Sequence, residues 1–174
     1  DGLAFKQNSL KFFGELAVHN INGDALVSTD DVKYDSIIGA HGLFSQITCE
    51  LDGLVIDTNT NYPLVCKSRL SQNNYDWDFM SQVEKNLSLM IGNDDLTPAF
   101  LSRNLDTGTS TDNIREWVPF AVSPLVSVNM SDTDILGKKG KMRLICYLNS
   151  ASNFLYGSDS ANFTFILRNI QARY

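Results

Sequence analysis

The chain has 174 residues, 43% of them hydrophobic and 20% charged, which is the composition of a single globular domain. A formal net charge of −6 argues against nucleic-acid binding through phosphate neutralisation, so we expect no direct contact with nucleic acid. No apolar run approaches the ~18 to 20 residues of a membrane-spanning helix, and we expect no membrane span. Residues 1–174 are therefore interpreted as one domain, with 1–11 as an N-terminal arm.

The first part of the chain predicts strands and turns. Residues 12–21 have the side-chain pattern of a strand, and Asn22-Gly23-Asp24 is typical of a turn. A second short strand is predicted at 25–28. The acidic, polar stretch at 29–36 predicts a loop that holds at most one turn of helix.

The clearest local pattern is a β-hairpin at 44–57. Ile47, Cys49 and Leu51 alternate with polar residues, which is typical of a strand with one apolar face. Asp52-Gly53 follows, and this pair favours a two-residue turn in which both residues have positive φ. Leu54 and Ile56 then resume the alternation, and a polar loop is predicted at 58–61.

The middle of the chain predicts helices. A short helix is predicted at 64–70, with Pro63 at its start, where proline is tolerated. Residues 75–90 predict a second helix, because their apolar residues follow helical spacing and Gly92 supplies a stop. The stretch 93–113 is rich in Asp, Asn, Thr, Ser and Gly and predicts a long surface loop.

The last third returns to strands, which are predicted at 114–122, 125–130, 141–148 and 162–174. The stretches between the later strands, 131–140 and 149–161, predict loops. About eight strands and one or two inserted helices result, and strands and helices do not alternate as they do in a parallel sheet. We therefore expect an all-β fold, an antiparallel sandwich of the jelly-roll type or a similar one.

Residues that could carry chemistry are few. The two histidines, His19 and His41, could bind a metal only if the fold brought them together, and packing roles are more typical. Acidic pairs at Asp30-Asp31 and Asp94-Asp95, and Asp132 with Asp134, lack the spacing of a calcium loop. The basic stretch 137–140, GKKG, lacks the pattern of a phosphate loop and is interpreted as a hairpin end.

The aromatic and cysteine residues leave two alternatives open. Trp77, Trp117 and the six tyrosines could form a sugar-stacking platform, although a tryptophan in a strand more often packs in the core. The three cysteines, an odd number without short repeated spacing, argue against a disulfide framework or a zinc site. Cys49 and Cys146 lie on the apolar faces of predicted strands. We accordingly expect no catalytic, cofactor-binding or metal-binding residue and no enzymatic activity.

Two groups of motifs resemble capsid jelly-roll proteins of the adenovirus-like lineage of double-stranded DNA viruses, which includes virophages and polinton-like viruses. The first comprises Leu43-Phe44-Ser45-Gln46, then Asp52-Gly53, then Asn61-Tyr62-Pro63. The second lies near the end of the chain and comprises Pro124-Leu125, Asp134-Ile135-Leu136, Lys141-Met142-Arg143-Leu144 and Asn169-Ile170. The stretch 72–111 does not match that family.

The resemblance implies an eight-stranded jelly-roll with a structural role. A major capsid protein of this lineage has two such domains, so one domain implies the penton at the five-fold vertices, a homopentamer in contact with neighbouring major capsid proteins. The implied location is the virion, after assembly in the host-cell cytoplasm or nucleus. A major capsid protein fragment, a minor capsid protein and a carbohydrate- or receptor-binding β-sandwich module are the alternatives. A metal-dependent enzyme of the cupin type is disfavoured, because cupins need several histidines.

Overall fold

The structure is a computed structural model. It describes residues 3–5, 9–24, 26, 30–35, 37–72, 117–130, 133–135 and 141–173, with the backbone alone at 3–5, 71–72 and 133–135. Ten strands lie in this part of the chain: β1 (Leu3–Phe5), β2 (Lys11–Asn20), β3 (Lys33–Tyr34), β4 (Phe44–Leu51), β5 (Leu54–Asn59), β6 (Val118–Val122), β7 (Thr133–Ile135), β8 (Met142–Leu148), β9 (Leu155–Tyr156) and β10 (Phe163–Arg173).

The described residues contain few helices. The longest in the described residues is α1 (Tyr62–Gln72), and α2 (Ser127–Met130) and α3 (Ala151–Phe154) are single turns. Two 3₁₀ turns precede strands, at Gly39–Leu43 and Ser160–Asn162. No helix in the described part of the chain is long and apolar enough to cross a membrane. The fold is therefore all-β, as the sequence predicts.

Every strand pairing is antiparallel, and three of the pairings are nested in the sequence. β2 pairs with β10, β3 pairs with β9, and β4 pairs with β8. β6 adds to the other edge of β2, and β5 adds to the other edge of β4, which gives two three-stranded sheets ordered β10-β2-β6 and β5-β4-β8. β1 pairs with β7 in a separate two-stranded sheet.

The hydrophobic core lies between the two three-stranded sheets. Leu16 of β2, Phe120 of β6 and Ile47 of β4 belong to one buried cluster. The rings of Phe12 and Phe44 join the two sheets directly, with centroids 6.0 Å apart. Burying apolar side chains from both sheets in one cluster removes them from water, and this sandwich-like contact holds the sheets together.

The hairpin prediction is confirmed. Asp52 and Gly53 have φ of 51° and 83°, as the predicted two-residue turn requires, and Leu51 pairs with Leu54 across it. The apolar residues of the second strand are exposed, Leu54 by 73% and Ile56 by 47%. A bulge shifts the register after Cys49 and leaves Ile56 without an opposite residue, so β5 leaves the strict alternation.

Several other predictions need correction. The 1–11 arm is wrong in part, because β1 pairs with β7 and β2 begins at Lys11. The predicted loop at 29–36 contains β3, and the loop at 149–161 contains α3 and β9. The strand predicted at 125–130 is instead α2, because the N–H groups of Asn129 and Met130 both donate to the Val126 carbonyl.

The strands at 12–21, 141–148 and 162–174 and the helix at 64–70 are confirmed, with shifts of a few residues at their ends. The strand predicted at 114–122 is confirmed for Val118–Val122. The helix predicted at 75–90, the loop at 93–113 and most of the strand predicted at 25–28 lie outside the described residues. An all-β, sandwich-like architecture is thus established, whereas the eight-stranded jelly-roll remains a prediction.

Candidate functional site

A groove of about 650 Å³ lies beside the first turn of α1. One wall comes from Asp35 and the 3₁₀ turn, and the start of α1 supplies Pro63, Leu64 and Lys67. The opposite wall comes from α3 and β9. The lining residues there are Asn153, Phe154 and Tyr156.

An ion pair crosses the polar part of the groove. Lys67 Nζ lies 2.6 Å from Asp35 Oδ2, and the Ile37 N–H donates to Asp35 Oδ1 at 2.9 Å. Burial raises the pKa of Asp35, but the hydrogen bonds from Lys67 and from backbone N–H groups outweigh it and hold the pKa below its usual value. Asp35 is therefore an ionised, paired carboxylate, whereas a general acid at neutral pH needs a raised pKa.

The rim of the groove is apolar and exposed. Ile37, Leu64 and Tyr156 are all exposed large hydrophobic residues. Tyr156 presents a ring with a polar tip, and the side-chain amides of Asn61 and Asn153 line the same space. Such a surface can hold a flat polar ligand or a chain segment of another protein, and Asp35 is the one carboxylate among the described residues that line it.

His41 lies in the turn that forms the groove wall, but its side chain is buried in the core. Its Nδ1 lies 2.9 Å from the Tyr62 hydroxyl, and the Leu125 N–H donates to that hydroxyl at 3.0 Å. The hydroxyl therefore accepts from Leu125, and its hydrogen bond with His41 Nδ1 joins the 3₁₀ turn to the start of α1. Burial lowers the pKa of His41 to about 4 and raises that of Tyr62.

This burial predicts a loss of stability in mild acid. The pKa of His41 is depressed in the folded state, so the unfolded chain binds the proton first as the pH falls below its ordinary value of 6.5. We expect the free energy of unfolding to decrease by about 3 kcal/mol between pH 7 and pH 4. Urea unfolding at a series of pH values measures this loss. His41→Gln removes the titrating group and should flatten the profile, whereas an unchanged slope in that variant would assign the effect elsewhere.

The other histidine is also a packing residue. His19 lies in β2 and is buried, and its Nδ1 donates to the Asn20 carbonyl at 2.8 Å. Within the described residues, no group of three His, Cys, Asp or Glu side chains is arranged to hold a metal ion. Neither histidine is therefore placed in a metal site by this part of the structure.

Asp31 joins two distant loops rather than binding a ligand. Its carboxylate lies 2.5 Å from Lys33 Nζ, and it accepts a hydrogen bond from the Ser158 N–H at 3.0 Å. These two donors lower the pKa of Asp31 to about 2. The Asp31 N–H in turn donates to Asp159 Oδ2 at 2.8 Å. Asp31 thus connects its own loop to the loop that contains Asp159, 128 positions later in the chain.

The other residues that the sequence singled out are the aromatic side chains, the remaining acidic clusters and the basic stretch 137–140. Trp117 is partly buried, with the Arg168 guanidinium 3.8 Å from its ring centroid. Tyr34 and Tyr62 are buried, while Tyr147 and Tyr156 are exposed. Outside the described residues, or described by their backbone alone, lie Trp77, Tyr75, Tyr174, Asp94-Asp95, Asp132, Asp134 and the stretch 137–140.

The cysteines are free thiols. Cys49 and Cys66 are buried and Cys146 is partly buried. Burial raises the pKa of Cys49, and it raises the pKa of Cys146 to about 11. A thiol with a raised pKa is a poor nucleophile at neutral pH, so these two side chains act as small core residues, as the sequence predicts.

Sequence reasoning missed the groove itself. Its walls come from three stretches far apart in the chain, and 149–161, which carries Asn153 and Tyr156, resembles an ordinary turn-rich connection in the sequence. No protein-family model, curated protein or solved structure matches the chain. The function is therefore argued from the geometry of the fold and from its exposed surfaces.

Proposed function

We propose that this protein is a structural capsid protein, a jelly-roll that forms the penton at the five-fold vertices of an icosahedral shell. In this proposal the chain assembles as a homopentamer and contacts neighbouring major capsid proteins in the virion, after assembly in the host-cell cytoplasm or nucleus. It acts without catalysis. The observation that carries the proposal is the nested pairing of β2 with β10, β3 with β9 and β4 with β8.

Nested pairing is what a jelly-roll requires. A long antiparallel ribbon that folds over itself joins the first strand to the last and each inner strand to its counterpart, and it distributes these pairs over two facing sheets. Here β2 and β10 lie in one sheet, while β4 and β8 lie in the other. The innermost pair of this scheme, β5 with β6, is replaced by β6 beside β2 and β5 beside β4, which is a departure from it.

The surface also supports an assembly role. The described residues expose large apolar side chains on separate parts of the molecule: Leu54 and Val55 on the hairpin, Leu64 and Tyr156 at the groove, and Ile170 on β10. Separate apolar regions suit a ring, in which each subunit uses one face toward one neighbour and a different face toward the other.

Native mass spectrometry over a concentration series tests the proposal. A pentamer that persists in sedimentation velocity experiments is the expected result. A stable trimer would favour the fragment of a major capsid protein or another capsid component. A protein that stays monomeric up to about 100 μM would overturn the penton proposal, because a penton must form its ring through contacts of useful affinity.

The groove favours a second candidate, a carbohydrate- or receptor-binding module. Tyr156 with Asn61 and Asn153 combines an aromatic ring with amide groups, which suits a sugar. A monomer whose Tyr156 NMR signals shift on addition of oligosaccharides would support this candidate over the capsid role.

A further inference from the structure

The first half of β5 is an exposed strand edge, whereas residues of its second half contact the segment that follows β6. Its first three residues are apolar and exposed, Leu54 by 73%, Val55 by 57% and Ile56 by 47%. Within the described residues β5 pairs with β4 alone. Val55 lies opposite Glu50, one position beyond the pair that closes the turn, so its N–H and C=O point away from β4. Natural proteins usually block such edges with lysine or proline, and β5 has neither.

The second half of β10 is a complementary edge. Residues 168–173 are all exposed, and among the described residues β10 pairs with β2 alone. The register shifts between Arg168 and Gln171, which bulges out Asn169 and Ile170. Ile170 is exposed there, so this edge also offers an apolar side chain.

The charges of the two edges are opposite. The only charged residues in 51–61 are Asp52 and Asp57, and the only charged residues in 163–174 are Arg168 and Arg173. The two members of each pair are five positions apart in the chain. Arg168 is already paired with Glu15 at 2.6 Å and lies over Trp117. Arg173, which contacts Phe13 and Gln171, is therefore the cation that a carboxylate of β5 can face. Two β5 edges would instead place carboxylates against carboxylates, which disfavours pairing of β5 with itself.

The two edges belong to different sheets. The segment that follows β6 lies along β5, since Asn59 Nδ2 donates to the Leu125 carbonyl and the Ser127 N–H donates to Asp57 Oδ2. β10 lies at the other edge of the sheet that contains β6. The segment after β6 thus lies beside β5, and β2 separates β6 from β10, so the two edges belong to different parts of the sandwich.

The geometry points to strand addition between copies, in which β5 of one subunit pairs with residues 168–173 of the next. Main-chain hydrogen bonds, the apolar residues and the opposite charges would all contribute to this contact. The contact is heterologous, so a suitable rotation closes it into a ring. This inference rests on the proposed assembly and specifies the surfaces that the assembly uses.

Charge substitutions at the two edges test the inference in sedimentation velocity experiments on the full chain. Val55→Lys places a cation against Arg173 and should raise the dissociation constant about tenfold or more. Tyr147→Lys is the matched control, because Tyr147 is an aromatic residue of comparable exposure, 50%, in the same sheet. It should leave association unchanged. Thermal unfolding of each variant shows that the monomer still folds.

A charge reversal supplies the specific readout. Arg173→Glu alone should also weaken association, and the double variant Val55→Lys with Arg173→Glu should associate more tightly than either single variant. If the wild-type protein assembles and Val55→Lys assembles equally well, strand addition is wrong while the assembly role stands. If the wild-type protein remains monomeric, both are overturned.

Discussion

Gly157→Ala is expected to destabilise the fold by about 3 kcal/mol or more. Gly157 has φ of +121°, a conformation that L side chains rarely adopt, and an added Cβ would lie 2.1 Å from the Asp31 carbonyl oxygen. That contact is with backbone, so no side chain can rotate away to relieve it. The loops that hold Asp31, Ser158 and Asp159 together would have to separate.

Denaturant unfolding followed by circular dichroism measures this effect, and Gly53→Ala separates its two causes. Gly53 has φ of +83° with nothing within 4 Å of an added Cβ, so its substitution carries the conformational cost alone. We expect Gly53→Ala to cost only about 1 kcal/mol. Equal losses in the two variants would show that the close approach to Asp31 has no energetic consequence.

Asn129→Asp is expected to destabilise the protein by about 3 to 5 kcal/mol at pH 7. The Asn129 side chain is buried and accepts a hydrogen bond from the Leu10 N–H at 2.9 Å. Its Nδ2 donates to the Leu10 carbonyl at 3.2 Å, and to Ser123 Oγ and the Pro124 carbonyl at 3.0 Å each. Aspartate would replace these donors with a charged oxygen that faces two carbonyls.

The pH dependence of this variant distinguishes a buried charge from lost packing. Burial would raise the pKa of the introduced carboxyl above its unfolded value of about 4, so the penalty appears as the pH rises through that value. The difference in unfolding free energy from wild type should therefore be smaller at pH 4 than at pH 7. Asn162→Asp, at an exposed asparagine, is the control and should change stability by less than about 0.5 kcal/mol at either pH. A pH-independent penalty at Asn129 would contradict the buried-charge account.

Asn129 also shows why one part of the sequence interpretation was wrong. Leu125, Val126 and Val128 are apolar and buried, which suggests a strand when the local pattern is considered alone. The local pattern does not reveal that residue 129 must reach back to Leu10, 119 positions earlier in the chain. A helical turn at α2 satisfies both this contact and the burial, so the long-range hydrogen bonds override the strand pattern.

The second strand of the hairpin gives the converse case. Asp52-Gly53 correctly predicts the turn, because the need for positive φ is local to two residues. Burial of Leu54 and Ile56 depends on what packs above β5, and in the structure both side chains are exposed. The exposed apolar edge that supports the proposed contact between subunits was therefore visible only in the structure.

The sequence by itself determined the elements whose causes are local. These are the all-β character from side-chain alternation, the two-residue turn, the helix that begins at Tyr62-Pro63, and the core role of Cys49. Tertiary structure alone decided the nested pairing, the groove, the hydrogen bond from Ser158 to Asp31, and the positions of the two charged edges. These features join residues up to about 160 positions apart, as in the pairing of Lys11 with Arg173. Their geometry therefore depends on how the whole chain packs around one core rather than on neighbouring residues.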